Sequence, residues 1–297
     1  MPILTDPLEV TPTVGPGVPG TVLQRRYATL GDLSMGLVDP SGTKVYLVEL
    51  TGWDDGVPTT GESEQRVSDH GAWVAPAYLE PRVIGITLHL VGGSFRQVSE
   101  SLARVVAAVP VSHLDTLTVD DHGVIRQAQV RQEGEPVPVR KGAAAKVSLS
   151  LVAPDPRKYA PNLVTLETGL PSTAGGLRVP FRVPARIQAT TTAGILSAVN
   201  DGTFETRPTL IVYGPVDPFR ITHRGTGRVL RFHEPIPAGR YLEIDTDKKT
   251  ALLDGTATRR LTGAWFAYAP GVNEVGFSAD TYNPGARLVS EHRNAWR

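Results

Sequence analysis

The sequence predicts a mostly β protein made of two β-sandwich-like domains, the first carrying a single packed α-helix. Three observations predict it. The 30 Gly and 25 Pro are spread along all 297 residues, so turns recur and long helices have no room. Apolar residues alternate with small or polar ones in several runs, which is the period of a half-buried strand. One segment alone spaces its apolar residues convincingly as a helix does. With 40% hydrophobic and 20% charged residues, the chain has the composition of a packed core and not of a disordered segment. Its length suits two domains, and we expect them at 1–160 and 161–297.

The elements follow in order. The first twenty residues, closing with Gly15-Pro-Gly-Val-Pro-Gly20, read as an extended arm. Lys44–Leu50 is a β-branched, apolar strand that ends in the turn Trp53-Asp-Asp-Gly56. A polar loop, Gly61–Ser68, leads to His70-Gly-Ala-Trp73. In Val83–Val91, Ile84, Ile86, Leu88 and Leu90 alternate with Gly85, Thr87 and His89, a strand with one buried face. Ser94-Phe-Arg-Gln97 fits a capping box, in which each side chain satisfies an orphan N–H of the first turn. Val98, Leu102, Val105 and Val109 then keep helical spacing until Pro110 stops the run. Thr116–Val119 and Val124–Val130 form a hairpin through Asp121-His-Gly123, where Gly supplies positive φ. Lys146–Val152 is the last strand of this half, and Pro154-Asp-Pro-Arg-Lys-Tyr-Ala-Pro161 is a proline-stiffened exit.

The second half reads as strand and turn throughout. Its candidates are Arg178–Ile187, Thr209–Tyr213, Phe219–His223, Arg228–His233, Arg240–Ile244, Thr250–Leu253, Ala264–Tyr268 and Glu274–Phe277. Turn residues separate them at roughly 8–12 residues, the spacing of a sandwich.

Composition narrows the function. The formal net charge is zero. Residues 1–160 carry 14 basic and 18 acidic side chains, and residues 161–297 carry 16 and 12. Neither half has the basic excess that phosphate contacts require, so no specific nucleic-acid partner is expected. No cysteine is present, which removes disulfides, thiol nucleophiles and thiolate metal sites together. Met1–Val10 lacks a basic region followed by an apolar one and does not read as a signal peptide. The longest apolar run, Val105–Val111, is too short to span a bilayer. A soluble protein made in the cytoplasm is expected.

No motif carries chemistry. Gly15-Pro-Gly17-Val-Pro-Gly20 matches G-x-G-x-x-G in spelling, but no strand precedes it and its prolines have no N–H for a phosphate. The seven His are scattered, with no pair spaced to share a metal. Asp120-Asp121-His122 sets two carboxylates beside an imidazole, but on a hairpin tip these are turn formers. Asp245-Thr-Asp247 opens like a calcium loop and then places Lys249 and Thr250 where a ligand and a glycine belong. Trp265, Phe266 and Tyr268 have two readings, a sugar-stacking platform or core, and core is the commoner use of such residues in a strand. Catalytic, cofactor-binding and metal-binding residues are therefore expected to be absent, and the protein is expected not to be an enzyme.

Several segments together resemble phage distal tail proteins. In the first half these are His70-Gly-Ala-Trp73, Pro81-Arg-Val-Ile-Gly-Ile-Thr-Leu88, the single helix, and Leu151-Val-Ala-Pro-Asp-Pro-Arg-Lys-Tyr159 at the junction. In the second half they are Arg207-Pro-Thr-Leu-Ile-Val-Tyr-Gly214, Ile244 through Gly255, and Trp265-Phe through Pro270-Gly-Val-Asn273. The likeness is to the proteins of actinobacterial siphophages and covers roughly residues 40–290. It implies a structural virion protein at the tip of a long non-contractile tail, assembled in the host cytoplasm. The implied partners are copies of itself in a ring, a hexamer, together with the tail tube protein and the tail-associated tip protein. It also implies a C-terminal domain like a galectin or carbohydrate-binding module, which leaves a host-surface glycan as a possible partner. A carbohydrate-binding adhesion module acting directly on the host is the alternative reading.

Overall fold

The computed structural model describes residues 18–174, 190–192 and 194–297. The Gly/Pro segment before Val18 and the predicted strand Arg178–Ile187 lie outside them. The chain divides into two compact units, one reaching to Tyr159 and including Arg297, the other spanning Ala160–Trp296.

In the first unit one hydrogen-bonded path runs through Leu33–Met35, Arg26–Leu30, Asp115–Asp121, Val124–Gln132, Ala144–Ala153, Arg82–Val91 and Lys44–Thr51. Every step is antiparallel. The two ends of the path meet, since Gly36 N–H donates to the Val45 carbonyl at 2.8 Å and Val45 N–H to that of Leu37 at 3.0 Å. The sheet thus curls around its core. Period two decides what faces inward: Ile84, Ile86 and Leu88 are buried opposite Leu151, Leu149 and Val147. Val137–Lys141 adds a further strand against Ala144–Ala153.

The helix spans Phe95–Ala107 and buries Val98, Ser101, Leu102 and Val105, while Val109 is buried just beyond it. A buried Leu is worth about 1.5–3 kcal/mol, so this stripe, and not helix propensity, holds the element in place. The Ser94 hydroxyl accepts from Gln97 N–H at 3.3 Å. The return bond falls one residue before the expected partner, because Gln97 Oε1 accepts from Gly93 N–H at 2.8 Å. The same side chain donates from Nε2 to the Ser41 carbonyl at 2.7 Å, which pins the helix start to a distant loop.

The second unit is a sandwich of two antiparallel sheets. One runs Val164–Gly169, Arg287–His292, Thr209–Tyr213, Tyr241–Asp245, Thr250–Leu253 and Ala257–Thr258. The other runs Ile195–Asn200, Gly271–Ala279, Phe219–His223, Arg228–Phe232 and Thr262–Gly263. Their inner faces share one core that includes Leu210, Ile221, Phe232, Ile244, Phe277 and Leu288.

Ala264–Tyr268 corrects an expectation, because it is not a strand and has a single bridge, between Tyr268 and Thr206. Its apolar residues satisfy the core as an extended bridge across the sheet edge, not as a ladder. Val164–Gly169, Ile195–Asn200 and Arg287–His292 are strands that the sequence reading did not anticipate. Among the described residues no helix is long and apolar enough to cross a membrane.

Candidate assembly interface

The first unit holds its most exposed apolar side chains on a projecting two-stranded arm between Val57 and Glu80. The departure point is built tightly. Gly52 has φ of 73°, and a Cβ there would lie 1.9 Å from the Val83 carbonyl oxygen, so no other residue fits this bend. Gly52 N–H donates to Asp55 Oδ2 at 2.7 Å. Trp53 and Val57 are buried on either side of the turn.

A buried cationic pair fixes the carbonyls of this turn. Arg82, 2% exposed, donates from Nη1 to the carbonyls of Gly52, Trp53 and Asp55 at 2.6, 3.2 and 3.0 Å. Its Nε donates to the Pro156 carbonyl at 2.9 Å. The buried Lys158 ammonium donates to the Trp53 carbonyl at 2.8 Å. Burial holds the Lys158 pKa down at about 8, and the nearby Arg82 and Arg126 guanidiniums push the same way. A buried charge is tolerable only when its hydrogen bonds are made; these carbonyls fill that need and are immobilised in return.

Beyond the turn, Thr59 and Thr60 pair with Leu79 and Tyr78. Ser63, Glu64 and Gln65 then pair with Val74, Trp73 and Ala72. The predicted polar loop Gly61–Ser68 is thus half of a hairpin. Trp73, Val74 and Tyr78 are 64%, 80% and 71% exposed, and Val67 at the tip is fully exposed. The Arg66 guanidinium sits 4.5 Å from the centre of the Trp73 ring and 3.5 Å from Asp69. A lone two-stranded ribbon is marginal in water. One that carries this much apolar surface is an interaction element.

The residues weighed for chemistry are accounted for locally. Asp120 accepts from the Tyr27 hydroxyl at 2.9 Å and from Gly123 N–H at 2.7 Å. His122 and Gly123 have φ of 55° and 89°, the two positive values of a tight hairpin turn. Asp245 Oδ1 accepts from the N–H groups of Asp247 and Lys248, both at 2.9 Å, so its carboxylate closes a turn. Among the described residues no group of three or more His, Asp or Glu could hold a metal.

Phe266 and Tyr268 are buried and Trp265 packs against the core, so these aromatics form no platform. His223 stacks on Phe266 at 5.2 Å, and its Nε2 shares a 3.3 Å contact with Asn273 Oδ1. Asn273 also donates to the carbonyls of Ala269 and Gly271 at 2.8 and 2.9 Å. The Trp265–Asn273 stretch is therefore a structural corner.

Residues 201–291 match the siphovirus-type tail component family, C-terminal domain. No curated protein matches the chain. Among solved structures, the Dit protein of phage SPP1 is similar, with a TM-score of 0.59 and 12% identity, over 84% of this chain and 92% of that one. That protein is described as a paradigm of hub adsorption apparatus in Gram-positive infecting phages. The phage P2 baseplate in its activated conformation with Ca gives a TM-score of 0.46 at 13% identity, over 90% of this chain and 98% of that one. At that score it carries no argument. At 12% identity the SPP1 likeness is one of fold.

Proposed function

We propose that this protein, a structural component of a siphophage tail tip, works there as a hub whose copies close into a ring, a hexamer. The ring joins the tail tube to the tail-associated tip protein and the host-attachment apparatus. In this reading residues 1–160 build the ring and residues 161–297 are displayed from it. The observation that carries it is the family match over residues 201–291, inside a chain whose fold follows SPP1 Dit along most of its length.

A hub acts through surfaces and not through a reaction, and the exposed arm of the first unit is such a surface. A head-to-tail contact repeated about an axis closes a ring. Light scattering and negative-stain imaging of the purified chain test this. Closed rings of uniform size are the expected result, and a monomer at every concentration contradicts it. The adhesion alternative loses its proposed platform, because Phe266 and Tyr268 are inside the core. Binding of the chain to a host cell-wall glycan array would restore it.

A further inference from the structure

The arm carries a charge pattern that has its complement elsewhere on the same unit. Between Val57 and Glu80 there are four carboxylates and one arginine. Arg66 pairs with Asp69, whereas Glu62, Glu64 and Glu80 have no ion pair. Glu64 stands directly across from Trp73, so an unpaired carboxylate and the largest exposed ring share one face of the ribbon.

The matching surface is the outer face of the sheet that carries Val137–Lys141. In register, Lys141, Ala144, Val91 and Lys44 form one row across four strands. Val139, Lys146, His89 and Tyr46 form the next. The neighbours along each strand, Val45, Leu90 and Ala145, point into the core, so these rows point away from it. Val137 and Val139 are each 59% exposed. Lys44, Lys141 and Lys146 have no ion-pair partner among the described residues. The ribbon thus presents apolar surface with three unpaired carboxylates, and the sheet face presents apolar surface with three unpaired ammonium groups.

We infer that the arm of one copy lies on the Val137–Lys146 hairpin face of the next copy, Trp73 against Val137 and Val139, with Glu62 and Glu64 toward Lys141 and Lys146. This rests on the ring reading above and names the surfaces that close the ring. The two patches are different parts of one chain, so the contact is head-to-tail and propagates from copy to copy. Pro138 lies on this outermost strand and withholds one N–H from its free edge. Side chains, and not ladder extension, therefore specify the contact, and complementary charge fixes its register.

The absence of cysteine makes the test clean. The full chain carrying both Glu64→Cys and Lys146→Cys should give, on oxidation, a covalent ladder that ends at the ring. Neither single variant should give one, because a head-to-tail contact never brings a site to its own copy. Lys141→Glu with Lys146→Glu should raise the concentration needed for assembly by about tenfold or more, one tenfold step being ~1.4 kcal/mol. Adding Glu62→Lys and Glu64→Lys to that variant should restore assembly. Rings that persist in the charge-reversed variant, with no ladder from the double-cysteine chain, overturn the inference while leaving the ring intact. In that event the arm serves another tail protein or another face. An unmodified chain that never assembles overturns the ring reading and this inference together.

Discussion

The arm of the first unit and the Trp265–Asn273 corner of the second are built from the same kinds of residue and put them to opposite uses. In the corner, Phe266 and Tyr268 are buried, the Tyr268 hydroxyl reaches Ser290 at 2.8 Å, and Asn273 satisfies the surrounding backbone. In the arm, Trp73 and Tyr78 face solvent, and Trp73 has only Arg66 over its ring. Aromatic content alone therefore does not mark a binding surface. What marks it is aromatic surface that the fold leaves uncovered on an element held firmly at its base. In the corner removal of a ring should cost stability, and in the arm it should cost assembly.

The largest expected effects come from the two cores. Phe277→Ala should destabilise the second unit by about 3–5 kcal/mol, and Leu102→Ala the first by about 2–5 kcal/mol, read in chemical or thermal unfolding. Equal loss in both units from either change would mean that they do not unfold separately.

A smaller effect follows from Lys158. Its pKa in the folded chain is about 8, below the value near 10.4 of an unfolded lysine. Between those values the unfolded chain holds a proton that the folded chain has released. The stability of the first unit should therefore rise with pH from about 8 to 10. The burial that raises the pKa of Tyr268 to about 12 works the other way in the second unit, but only above about pH 10. Lys158→Met should flatten the rise, and a profile unchanged by that substitution contradicts the assignment.

Smaller still on stability is Trp73→Ala, expected to alter the unfolding free energy of the isolated subunit by less than about 0.5 kcal/mol. The same change should weaken self-association strongly, as removal of a central interface aromatic does. At the bottom of the scale, Glu100→Ala removes the exposed pair with Arg96 at 2.9 Å and should leave the melting temperature where it was.

The sequence revealed those parts of this structure whose causes are local. The Ser94 cap and the Val98–Leu102–Val105 stripe announced the helix, and alternation announced Arg82–Val91 and Ala144–Ala153. The pair Asp121 and Gly123 announced a hairpin. The arm stayed hidden because Ser63-Glu-Gln65 is polar and pairs over only three residues, so neither periodicity nor propensity reaches threshold. Ala264–Tyr268 misled for the converse reason, since its apolar residues are wanted by the core and not by a ladder. The clamp of Arg82 and Lys158 on Trp53 joins residues 29 and 105 positions apart. Nothing local in the sequence encodes that meeting.

The measurement that bears most directly on the account is the mass in solution of two forms of the full chain. One is unaltered, and in the other the arm is cut back by joining Thr60 to Tyr78, which already pair across the ribbon, through an Asn-Gly turn. The account predicts a closed ring for the first and a monomer of unchanged melting temperature for the second. A shortened chain that still forms rings, or an intact chain that never does, would contradict it.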